Sequence, residues 1–191
     1  MSTADSVRRR RVASERPIGG EFSARAWRGV GPHPHDPRAF DVANRVAELI
    51  VAALPGTDIE HVGSTAVPDL PGKNVVDLQI TVPAREIAKV RQALLDLGFA
   101  RQSGPDPWPE TRPMLVGTFR HDGVVFGLHC HVIPADDPGA LEMPRFRDLL
   151  RQDPALRAAY ASDKRRIAET TGDVHEYTRA KAAFIERLAC Q

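Results

Sequence analysis

The chain has 191 residues, 42% hydrophobic and 27% charged, ordinary proportions for a soluble globular protein of one domain or one domain plus tails. Its 26 Lys and Arg face 25 Asp and Glu, and that balance argues against a dedicated nucleic-acid binder, which carries a basic surplus. Two cysteines, Cys130 and Cys190, make no disulfide framework, and no apolar run reaches the roughly 18 residues of a membrane span, so the reading is a cytoplasmic protein with reduced thiols.

Residues 1–20 are polar, carry arginines from Arg8 to Arg11 with no apolar segment behind them, and end at Gly19-Gly20. They read as a flexible basic tail rather than a secretory signal; residues 21–191 read as a single domain. Asp36-Pro37 makes an N-cap and first-position pair for a helix running to about Leu54, where Pro55-Gly56 stops it. A short strand follows at 58–62 and a clearer one at 75–82. In the latter Val76, Leu78, Ile80 and Val82 share one face and Val75, Asp77, Gln79 and Thr81 the other, so Asp77 and Gln79 are expected to point together, off the buried side. Ile87, Val90, Leu94 and Leu97 mark an amphipathic helix over 84–97 with Gly98 at its end. Past a Pro-rich loop at 104–113, strands at 114–120 and 124–133 are joined by the hairpin signal Asp122-Gly123, and Gly127, His129 and His131 share a face of the second. Three helices are expected thereafter, over 142–152, 154–170 and 174–189. The order predicts an α+β fold: a small mixed sheet with flanking helices and a helical C-terminal portion.

Chemistry concentrates in "IEHVGSTAVPDLPGKNVVDLQI", residues 59–80. A glycine after a strand lets backbone amides approach a phosphate, and Ser64 adds a hydroxyl; the plainer alternative is a tight turn that needs Gly63. Asp77, on a strand beside that turn, has the chemistry to hold Mg2+ for a nucleoside triphosphate. The residue two further on, where a second acid would bridge a second ion, is the neutral Gln79. The outward candidates on the strand over 124–133 are His129 and His131, poor ligands for Mg2+ and good ones for Zn2+, Mn2+ or Fe2+; with Asp77 they could form a facial triad, or they could bind substrate by hydrogen bonds.

The same stretch closely resembles the signature of the GrpB-like family, and "LHCHV" (128–132), "FRDLLRQDPALRAAYASDKRRIA" (146–168) and "YTRAKAAFIERL" (177–188) fit it too. The family is similar to the nucleotidyltransferase superfamily, in which a glycine-serine turn precedes a strand bearing Asp-x-Asp or Asp-x-Glu; a GrpB-like domain also occurs fused to dephospho-coenzyme A kinase. Asp69 and Asn74 depart from the usual Gly and Pro of the pattern. The resemblance carries over Glu60, His61, Gly63, Ser64, Lys73 and Asp77. Of Glu60 and His61, which alternate, His61 is the one expected in the cleft.

Beyond the motif, Tyr160 and Lys164 on one helix and Tyr177 and Lys181 on the next repeat a Tyr-x3-Lys spacing suited to phosphate or to packing with surface charge. Thr65, Lys73, Gln79, Arg120 and Arg147 complete the candidate phosphate- and substrate-binding set. The resulting expectation is a nucleotidyltransferase-like protein that binds a nucleotide or another phosphorylated small molecule with a divalent metal (Mg2+ or Mn2+, or Zn2+ or Fe2+), using Asp77, His129 and His131. The alternatives are a non-catalytic ligand- or partner-binding module, which Gln79 motivates, and a metal-dependent enzyme of another class built on the same three residues. A nucleic-acid role for Arg8 to Arg11 ranks last, and no membrane partner is expected.

Overall fold

The computed structural model describes residues 21–23, 33–102 and 107–170. Strands β1 (Glu21–Ser23), β2 (Asp58–Val62), β3 (Val75–Val82), β4 (Ala100–Arg101), β5 (Met114–His121) and β6 (Val124–Pro134) are interleaved with helices α1 (Arg38–Ala53), α2 (Ile87–Asp96), α3 (Glu142–Gln152) and α4 (Pro154–Thr170). The tail over 1–20 and the helix expected over 174–189 lie outside the described residues. At the start of α1 the Asp36 carboxylate accepts the Arg38 N–H at 3.0 Å, so the residue caps as expected. The helix expected over 84–97 opens instead as a 3-10 turn, Ala84–Glu86, before α2. Gly98, at φ +100, closes α2, and the Phe99 N–H returns to Leu94 O at 3.0 Å.

The strands form one mixed sheet in the order β1-β5-β6-β3-β2, with β4 also paired to β5. Among the described strands only β3 and β6 run parallel; the other pairs are antiparallel. Asp122 (φ +44) and Gly123 (φ +78) are both left-handed, which gives the β5–β6 hairpin the twist of a primed turn. One sheet face carries Val76, Leu78 and Ile80 of β3, Leu115 and Phe119 of β5, and Phe126, Leu128, Cys130 and Val132 of β6. Val42, Val46 and Ile50 of α1 and Val90 and Leu94 of α2 cover them. Each such side chain contributes about 1.5–3 kcal/mol on burial, which fixes the strand register against a one-residue slip. Cys130 belongs to this core, and burial pushes its thiol pKa up.

A second, smaller cluster joins the β2–β3 loop to the C-terminal helices: Val67 and Leu70 pack on Leu150, Tyr160 and Ala161. The loop holds the two residues that depart from the family pattern, and both are left-handed, Asp69 at φ +63 and Asn74 at φ +53. Proline is locked near φ −65°, so Asn74 occupies a conformation that the usual residue of the pattern could not adopt. Among the described residues no helix is long and apolar enough to cross a membrane.

Candidate functional site

On the sheet face opposite α1 and α2, strand pairing arranges side chains in rows, because directly paired residues share a face. Val62, Asp77, His129, Val116 and Ala100 stand in one row across β2, β3, β6, β5 and β4. Glu60, Gln79, His131 and Met114 stand in the next. The parallel register between β3 and β6 therefore brings Asp77 beside His129, with His131 one row on. Asp77 Oδ1 lies 3.2 Å from His129 Nδ1 and 3.4 Å from His131 Nε2. The three ligand atoms all fall within 4.8 Å of one another, and among the described residues no other group of three His, Cys, Asp or Glu side chains is so placed. Burial acts to raise the Asp77 pKa, but the hydrogen bonds and charges of His129 and His131 more than offset it and hold the carboxyl well below its usual range. Asp77 is thus an anion at neutral pH.

Gly63 closes β2 at φ +73 and ψ −169, a conformation that side chains disfavour. A Cβ on Gly63 would stand 2.2 Å from Asp77 Oδ2, so the turn and the carboxylate are in contact only because residue 63 has no side chain. Ser64 to Ala66 then form a 3-10 turn, and Ser64 Oγ packs against Gly72, where a Cβ would lie 2.8 Å away. The Gly-Ser turn, Asp77, His129 and His131 form one contiguous group.

Other candidates are placed elsewhere. Gln79 does share the Asp77 face, but that face is not open at this point. Gln79 is 2% exposed beneath the 3-10 turn Pro138–Leu141, and its Nε2 donates to Ala140 O at 2.7 Å. His61 does not face the cleft: it pairs with Leu78 and sits edge-on to Phe40 of α1, with ring centroids 5.4 Å apart. Glu60 takes the Asp77 side and pairs with Arg147 at 3.0 Å. Thr65 donates its hydroxyl to Val75 O at 2.9 Å and accepts from His61 Nε2 at 3.0 Å, which commits it to the turn and not to an anion.

The cations of the C-terminal helices hold β2 and the loop that follows it. Arg147 donates to His61 O at 2.9 Å, Arg151 to Ala66 O at 2.9 Å and Lys164 to Pro71 O at 2.6 Å. Lys164 is 4% exposed and Tyr160 2%, so this Tyr-x3-Lys pair packs against the loop and is not presented to a cleft. Arg120 shares the Asp77 face but lies four positions along β5 from Val116, about 13 Å at ~3.3 Å per residue. Lys73 is half-buried in the loop before β3. Tyr177 and Lys181 lie outside the described residues.

The structure also brings in residues that the sequence reading passed over. Trp108, in the Pro-rich loop, sets its ring 5.4 Å from the His131 ring, and Gln102 follows β4 opposite Met114, to whose carbonyl its N–H donates at 3.3 Å. Neither had a periodic pattern to reveal its face.

His61 supplies a pH prediction. Burial pushes its pKa down to about 4, against 6.5 in the unfolded chain. Below pH 6.5 the unfolded state therefore gains a proton that the folded state refuses, and stability falls between pH 6.5 and about 4, by up to about 3 kcal/mol over that window. Urea unfolding at pH 7 and pH 4.5 should show His61→Gln losing clearly less stability than the wild type; equal losses would count against a neutral, buried His61.

Comparison with known proteins places the chain. The family model described as GrpB protein matches residues 32–190. The chain belongs to the GrpB family. A UPF0157 protein of Deinococcus radiodurans is 34% identical over 142 residues, 71% of this chain and 68% of that protein. One from Streptomyces coelicolor is 30% identical over 97% of this chain and 94% of its own length. A dephospho-CoA kinase of Mycobacterium tuberculosis is 31% identical over 56% of this chain and 28% of the kinase, in keeping with the fused arrangement that the resemblance implied. In structure, the conserved protein GrpB from Enterococcus faecalis aligns with a TM-score of 0.66 at 22% identity, covering 82% of this chain and 93% of that one. The GrpB fold is shared at that distance.

Proposed function

We propose that this GrpB-family chain holds one divalent metal ion through Asp77, His129 and His131. Through that ion and the Gly63-Ser64 turn it binds a phosphorylated small molecule, with nucleotides the leading class. The carrying observation is the convergence of one carboxylate and two imidazoles beside a glycine that nothing larger could replace.

The donor set fits an ion. Ligand atoms about 2.0–2.1 Å from a tetrahedral metal lie about 3.3 Å from each other, and Asp77 Oδ1 is 3.2 and 3.4 Å from its two imidazole partners. Two imidazoles and a carboxylate suit Zn2+, Mn2+ or Fe2+ better than Mg2+, which prefers an all-oxygen shell. When bound, such an ion would neutralise phosphate oxygens and acidify a coordinated water. The chain's own residues do the rest. Asp77 remains ionised, Gly63 lets the turn pack directly on the Asp77 carboxylate, and Arg147, Arg151 and Lys164 hold β2 and the loop after it by their carbonyls.

Gln79 supports one ion over two. Two-metal nucleotidyl transfer relies on carboxylates that bridge ions about 3.5–4 Å apart; Gln79 is neutral and buried, and its Nε2 is already bonded to Ala140 O and Thr81 Oγ1. That commitment also favours a second reading, in which the ligand is held without nucleotidyl transfer.

Calorimetric titration of ATP should give heats of binding with Mn2+ present and none with chelator, and His129→Ala/His131→Ala should abolish them. Equal binding in chelator would remove the metal from the account. Chromatography of the same mixtures for pyrophosphate or phosphate release separates transfer or hydrolysis from binding alone.

A further inference from the structure

We infer that Trp108 is the stacking platform for a nucleobase whose phosphates lie at the Asp77 centre. This inference rests on the metal–phosphate reading and names the other end of the ligand. Trp108 is 39% exposed, whereas the other exposed large hydrophobic residues among those described, Val51, Leu141 and Leu149, sit on helical elements. Its ring meets His131 at a centroid distance of 5.4 Å and an interplanar angle of 71°. A wide apolar surface is thus held in water next to a candidate metal ligand.

Past His131 the row runs to Met114 and then to Gln102, whose backbone N–H donates to Met114 O. Gln102 Oε1 is buried and has no hydrogen-bond partner among the described residues. A buried acceptor left without a donor is costly, and a ligand that carries an N–H on its edge would satisfy it. At this end of the row His131, Met114 and Gln102 offer an imidazole, a thioether and an amide with no carboxylate or ammonium among them; Glu60, at the far end of the row beyond the buried Gln79, is taken up by Arg147. Such a surface does not suit a second phosphate or a sugar acid. It suits a planar, neutral ring with polar edges, and a base offers one to an aromatic face with little dependence on its identity. The Asp77 group at one end and Trp108 at the other thus match the two ends of a nucleotide.

The test compares ATP with inorganic tripolyphosphate on the wild-type chain, with Mn2+ in excess over both. Stacking predicts that ATP binds more tightly by about 5- to 150-fold. Trp108→Ala should lower ATP to the tripolyphosphate level while leaving tripolyphosphate affinity and Mn2+ stoichiometry unchanged, and Trp108→Phe should restore most of the preference. Equal affinities in the wild type, or a Trp108→Ala change that weakens both ligands alike, would overturn the base platform and leave the metal–phosphate reading standing. If neither ligand binds, both fall.

Discussion

If the proposed metal centre is real, Asp77→Asn should lower divalent-metal affinity by at least about 100-fold, because it removes the single carboxylate of the three-residue donor set. Partners that merely orient a metal ligand are worth 10–100-fold, so loss of a ligand and its charge must cost no less. Asn preserves the shape that Gly63 contacts, which keeps the turn in place. The two imidazoles lose the anion that both approach, at 3.2 and 3.4 Å. Calorimetric titration of Mn2+ or Zn2+ into the wild type and the variant measures the difference, with circular dichroism to confirm that both are folded. A variant that binds metal within a few-fold of the wild type would show that Asp77 is an ordinary buried ion-pair partner of two histidines.

Gly63→Ala has the second large effect, and it arises from two independent causes. The backbone at φ +73 and ψ −169 costs a residue with a side chain on the order of 1–3 kcal/mol. The added methyl would also stand 2.2 Å from Asp77 Oδ2 and 2.9 Å from its Cγ, so either the turn or β3 must move. Together they predict a destabilisation of about 3 kcal/mol or more, within the range of the most damaging single substitutions. Metal binding should be lost even where the variant is still folded. Urea midpoints at a constant slope report the first effect. A variant with near wild-type stability and metal affinity would mean that the turn relaxes freely and does not position Asp77.

Much of the fold was legible from residue patterns. The alternation of Val76, Leu78, Ile80 and Val82 identified β3 and its core face, and Asp122-Gly123 identified the hairpin, because a left-handed pair is chemically conspicuous. The same alternation set Asp77 on one face of β3 and His129 and His131 on one face of β6. It could not say that β3 and β6 are parallel neighbours in the register that joins Asp77 to His129, because long-range pairing leaves no local trace.

The misplacements have the same origin. Strand alternation required Glu60 and His61 to diverge, but only the pairing of His61 with Leu78 shows that His61 takes the α1 side. Gln79 was expected off the buried side because the second layer over that face comes from Pro138–Leu141, far along the chain. The helical spacing of Tyr160 and Lys164 was real, yet spacing does not say which surface a stripe covers, and this one covers the loop through Pro71 and Leu70. Trp108 lies in an irregular segment where no period assigns a face.

The most direct test is to count bound Mn2+ by electron paramagnetic resonance of the free ion, in the wild-type chain and in His129→Ala/His131→Ala. The proposed metal centre predicts one tightly bound ion per wild-type chain and none in the double variant. No depletion of free Mn2+ by the wild type, or equal depletion by both proteins, would contradict the metal centre on which this account of the site depends.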